Sequence, residues 1–131
     1  MTINSTYTNG DDFIFEQERF FENGHWWTDS NYIRALDGND TIFASTGDYW
    51  TGDYISYDTF DGGSGSDTVS YINRSGWMHI DLNTGYARPG RLLGENYNIG
   101  LDTLISIENI SGSQFNDVIY GNGQNNVLKG L

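Results

Sequence analysis

The stretch Gly62-Gly63-Ser64-Gly65-Ser66-Asp67-Thr68-Val69-Ser70 decides the reading of this chain. Its first six residues are small, polar or glycine, which suits a tight turn, and its last three suit a short extended segment. One aliphatic side chain per nine residues cannot form a core by itself. It can do so if such units stack, each aliphatic residue lying on its equivalent in the next coil. The spacing therefore predicts short parallel strands with one inward residue each.

Working outward, the pattern Gly-x-Asp-x-aliphatic returns at Gly10–Ile14, Gly38–Ile42, Gly65–Val69 and Gly100–Leu104. Random placement of these residue types would give well under one copy. Weaker copies follow at nine-residue offsets: Asn31 before Asp40, Ile33 before Ile42, then Glu108, Asp117 and Asn126, with Ile110, Ile119 and Leu128. Asp53 with Ile55 fits if insertions of four and five residues flank it. Three-residue strands are expected at 32–34, 41–43, 68–70 and 118–120. Ile33, Ile42, Ile55, Val69, Ile110, Ile119 and Leu128 are expected to point inward. No segment shows sustained helical periodicity.

The composition agrees. The 131 residues make about one domain, and seventeen Gly against one Pro indicate many tight turns. Eighteen Asp+Glu against six Lys+Arg give a net charge of −12, which would be repelled by nucleic acid or an anionic membrane. No apolar run reaches the roughly twenty residues of a membrane helix, and the first residues do not read as a signal peptide. The absence of Cys excludes disulfides, zinc–thiolate sites and thiol nucleophiles. Asp and Asn beside Gly offer oxygen ligands for hard cations.

With these residues in view, the chain resembles the RTX family, the haemolysin-type calcium-binding repeats, whose unit is Gly-Gly-x-Gly-x-Asp-x-U-x with U aliphatic. Gly62–Ser70 matches at every defined position. Residues 35–43 match the second half, with Ala35-Leu36 in place of the leading glycines. Residues 121–129 form a degenerate copy with Asn126 for Asp, and 78–85 and 101–113 resemble connectors between such repeats. The resemblance implies an all-β, right-handed parallel β-roll (a β-solenoid) with irregular inserted loops. It covers one domain, residues 1–131, read as a fragment of a longer protein because Gly130-Leu131 stops where another repeat would begin.

The resemblance also implies calcium between stacked turns. The metal-ligating candidates are Asp12, Asp37, Gly38, Asp40, Asp53, Gly63, Gly65, Asp67 and Asp117. Asp40 and Asp67 should bracket one ion, while Asn31 and Asp53 belong to the opposite edge. The implied function is a noncatalytic calcium-binding module of a secreted or cell-surface bacterial protein, exported by type I secretion, folding on calcium binding and supporting neighbouring domains. Magnesium should substitute poorly, and the C-terminal part, with Glu108 and Asn126 at ligand positions, should depend less on metal.

Other constellations are weaker. Trp26, Trp27, Trp50 and Tyr54, with Tyr49, Tyr57 and Phe60, either cap an open end of the core or form a carbohydrate-binding or adhesive platform. His25 and His79 lack zinc-ligand spacing and read as ordinary histidines. The acid pairs Asp11-Asp12, Glu16/Glu18 and Asp58/Asp61 are explained by turns rather than by glycoside hydrolysis. No Gly-x-Ser-x-Gly elbow is present, and Arg88 and Arg91 decorate a loop around Pro89-Gly90.

Overall fold

The computed structural model describes residues 4–16, 19–22, 25–28, 31–44, 57–90 and 101–131. These residues contain strands and turns but no helix. The strands are β1 (Asn4–Thr6), β2 (Phe13–Phe15), β3 (Arg19–Glu22), β4 (His25–Thr28), β5 (Tyr32–Arg34), β6 (Thr41–Phe43) and β7 (Thr59–Asp61). They continue with β8 (Thr68–Ser70), β9 (Met78–Asp81), β10 (Tyr86–Pro89), β11 (Asp102–Ile105), β12 (Asn109–Ser111), β13 (Val118–Tyr120) and β14 (Leu128–Lys129). The four expected three-residue strands are β5, β6, β8 and β13, with the expected bounds.

Five strands form one all-parallel sheet in the order β14-β12-β8-β6-β2. Its register stacks Ile14, Ile42, Val69, Ile110 and Leu128 in one file. A second sheet runs β1-β5-β7-β11-β10-β9-β13. There Ile33, Phe60 and Leu104 share a file, and Ile80 pairs with Ala87 and Ile119. Consecutive repeats alternate between the sheets, with steps of nine residues from Ile33 to Ile42, Phe60 to Val69, and Ile110 through Ile119 to Leu128. Files from both sheets meet in one core, where Ile14, Ile42, Phe60, Val69 and Ile80 are wholly buried.

Three expectations need correction. The second sheet is mixed rather than parallel, because β9 and β10 pair antiparallel to each other and β10 pairs antiparallel to β11. The cause is local. Asp81 Oδ1 accepts from the N–H groups of Asn83 and Thr84, and Gly85 turns with φ of 75° while bonding back to the Asp81 carbonyl. This Asx-type turn reverses the chain where a repeat would continue it forward. Next, Leu128 is 42% exposed, because β14 is the edge of its sheet and is covered from one side only; Ile119 is partly buried. Finally, Asp53 and Ile55 lie outside the described residues, and the rung beside Asn31 and Ile33 is filled by Asp58 and Phe60. All the inserted residues therefore precede Asp58, and none falls between it and Asp67.

A further two-stranded antiparallel sheet pairs β3 with β4, placing Trp26 and Trp27 opposite Phe21 and Phe20 in register. Trp50 and Tyr54 lie outside the described residues.

Candidate metal centre

The residues just before the strands of the parallel sheet form a ladder. The N–H of Asp12 donates to Asp40 Oδ1 (2.7 Å), that of Asp40 to Asp67 Oδ1 (2.8 Å), and that of Asp67 to Glu108 Oε2 (2.9 Å). Each acid thus reaches back to the preceding rung. One position earlier a second set reaches forward: the N–H of Asn39 donates to Asp11 Oδ1 (2.8 Å) and that of Ser66 to Asn39 Oδ1 (2.9 Å). Asn126 continues the file by donating to the Glu108 carbonyl.

The turns beneath are stacked as closely as backbone allows. Gly38 and Gly65 have φ of 133° and 143°, and a Cβ on Gly65 would overlap the Gly38 carbonyl. Gly63 has φ of 91° and packs on the Leu36 carbonyl. Leu36 itself adopts φ of 84°, so the repeat's backbone imposes a left-handed conformation where glycine is missing. The N–H of Ser64 donates to the Leu36 carbonyl and that of Gly38 to the Ser64 carbonyl, and Asp37, exposed, bridges to Ser64. Asp12 is half-buried, and its Oδ2 accepts from Thr8 N–H and Oγ1.

Asp40 and Asp67 are buried, yet one oxygen of each is uncommitted. Oδ1 accepts a backbone N–H, while Oδ2 is buried and has no hydrogen-bond donor. Burial pushes the Asp67 carboxyl up to about 6; the N–H bond from Asp40 opposes this, and the charges of Asp40, Glu108 and Asp61 add to it. Asp40 is raised for the same main reason, with Asp12 and Asp11 as its like-charged neighbours. Buried acids with unsatisfied oxygens are an unfavourable arrangement that a hard cation relieves.

The structure thus brings Asp12, Asp40 and Asp67 into one ladder over the turns that hold Asp37, Gly38, Gly63 and Gly65. Among the described residues no three His, Cys, Asp or Glu side chains converge on a common point as a metal cluster. A calcium ion here would take one carboxylate oxygen from a rung and complete its shell from turn carbonyls. That donor set fits an all-oxygen cation. Asp117 stands elsewhere, against the second sheet. Its Oδ1 accepts from Ser113 Oγ (2.6 Å) and Met78 N–H (2.8 Å), and its Oδ2 is again buried without a donor. His79 packs on the Tyr120 ring at 5.7 Å, as an ordinary surface histidine would.

The opposite edge expected from Asn31 is a second ladder on the mixed sheet, but its acids are Asp58 and Asp102, which sequence reasoning did not assign to it. The N–H of Asn31 donates to Asp58 Oδ1 (2.8 Å), and the N–H of Asp58 bonds the Asp102 carboxyl. Asp102 Oδ2 then accepts from Tyr71 Oη (3.1 Å) and Arg74 Nη2 (3.3 Å). The Arg74 guanidinium lies 5.6 Å from the Tyr71 ring centre. Burial pushes the Asp102 carboxyl up to about 7, against the opposing pull of Arg74.

No curated protein is similar enough to the chain to serve as a relative. Comparison with protein families matches the RTX calcium-binding nonapeptide repeat in four copies, over residues 28–48, 57–70 and 105–131. These segments contain β5, β6, β7, β8, β12, β13 and β14 and both central acids of the first ladder. The chain thus carries RTX calcium-binding nonapeptide repeats over 62 of its 131 residues.

Proposed function

We propose that this chain is a noncatalytic β-roll module that binds calcium along the Asp12–Asp40–Asp67 ladder and completes its folding when it does so. The observation that carries the reading is the pair of buried, donor-free Oδ2 atoms of Asp40 and Asp67 above glycine turns in backbone contact. Metal-free, these acids repel one another in a chain of net charge −12. Each calcium ion supplies two positive charges and binds well only to formed turns, so its binding energy becomes folding energy. RTX repeats are typical of secreted bacterial proteins. That supports an extracellular or cell-surface setting, where modules of this kind work with calcium affinities of about 10⁻⁴–10⁻³ M. Type I export and support of neighbouring domains complete the proposal.

Calorimetric titration of calcium into wild type and Asp67→Asn tests the assignment. The variant is expected to bind at least one ion fewer, or to bind with at least tenfold lower affinity. Unchanged stoichiometry and affinity would remove the ladder as the metal site.

A further inference from the structure

Asp40 and Asp67 on the first ladder, and Asp102 on the second, occupy the same place in their repeats, and each carboxyl accepts the N–H of the preceding rung. Their remaining oxygens differ. Oδ2 of Asp40 and of Asp67 is buried without a donor, whereas Oδ2 of Asp102 holds Arg74 Nη2 and Tyr71 Oη. Arg74 reaches it from the segment 71–77 that follows β8, anchored by its N–H bond to the Tyr71 carbonyl (2.9 Å). The ion pair is enclosed, with side-chain exposures of 10% for Arg74 and 6% for Asp102. The guanidinium is held further by the Tyr71 ring, and that tyrosine is wholly buried. Glu16 and Asp58 add negative charge to its surroundings, and Asp102 is the acid it contacts.

We propose that Arg74 is a resident cation that does for Asp102 what calcium does for Asp40 and Asp67, so that the second ladder closes at this rung without metal. The inference rests on the calcium reading of the first ladder for its analogy, but not for its test. A guanidinium fixed in the chain stands beside the carboxyl with or without calcium, whereas a calcium-filled rung closes only when the ion is present. The chain would therefore carry one ladder that answers to calcium and one that is permanently set.

The test compares wild type, Arg74→Met and Arg74→Met/Asp102→Asn. Arg74→Met keeps most of the side-chain volume and removes the charge. Calcium stoichiometry by calorimetry and thermal unfolding in calcium and in EGTA are measured for each. Arg74→Met is expected to bind one more calcium than wild type, and to lose more Tm in EGTA than in calcium. Adding Asp102→Asn should abolish the extra ion and recover part of the EGTA loss. If Arg74→Met is unfolded in EGTA, refolding on calcium addition with one more ion bound than wild type supports the proposal; failure to refold, or refolding with wild-type stoichiometry, overturns it. Unchanged stoichiometry with equal Tm loss in both solutions also overturns it. Indifference of wild type to calcium would instead refute the reading of the first ladder, and the extra ion in Arg74→Met would still report on Arg74.

Discussion

The two sheets are built from the same unit but kept regular to different degrees. In the parallel sheet every rung from β2 to β14 joins the last in parallel; the file of aliphatic residues runs its full width, and acids stand at every rung but the last, where Asn126 replaces them. In the mixed sheet β5 and β7 repeat the pattern, and then β9 and β10 reverse the chain. On the parallel sheet Asp40 and Asp67 each end on an uncommitted oxygen. On the mixed sheet the segment 71–77, ahead of the reversal, brings Arg74 and Tyr71 to Asp102. The two central acids of the first ladder thus leave a demand for cations open, whereas Asp102 on the second is answered from within the chain.

The largest effect expected is on the core that both sheets share. Ile42 is wholly buried in the middle of the regular file, so Ile42→Ala should cost about 2–5 kcal/mol by denaturant unfolding. Leu128→Ala, at the exposed edge of the same file, should stay within about 0.5 kcal/mol. Equal losses at the two positions would mean that the file is not packed as described. Gly65→Ala should follow in size, at about 1–3 kcal/mol, because its φ of 143° and the Gly38 carbonyl leave no room for a methyl group. Its effect should also appear as weaker calcium binding, since the same turns supply the carbonyls.

A smaller effect is expected from pH, and its sign separates metal-free from metal-loaded protein. The folded-state value of Asp67, about 6, lies above its ordinary 3.8, so between these values the folded chain holds more protons than the unfolded one. In EGTA, Tm should therefore rise as pH falls from 7 toward 5, as the raised acids of the ladder take up protons. In calcium the same acidification should lower Tm, because protons displace the ion. A metal-free Tm that falls steadily over this range would contradict the buried, cation-free state of Asp67.

Much of this was legible in the sequence where the repeat kept its residue types. Asp40, Asp67, Ile42 and Val69 show their positions through glycine spacing alone, and the structure places them in one ladder and one core file. The rung at Phe60 was hidden because an aromatic residue stands where the unit has an aliphatic one, while Asp53 and Ile55 offered a closer chemical match at a wrong offset. The β9–β10 reversal was written in Asp81-Leu82-Asn83-Thr84-Gly85, an Asx turn closed by glycine, and Asn23-Gly24 is an equally strong sign of the β3–β4 pairing. Both were obscured by the expectation of parallel rungs. The Arg74–Asp102 contact had no local signal, since it joins residues brought together only when the chain has wound through several rungs.

The central claim is that the parallel sheet's ladder takes up calcium and is stabilised by it. Thermal unfolding of the chain at matched ionic strength in calcium, magnesium and EGTA tests it most directly. A markedly higher Tm in calcium than in EGTA is expected, with magnesium close to EGTA because it prefers a smaller octahedral site and gives up its waters reluctantly. Superimposable unfolding curves in all three solutions would contradict the claim.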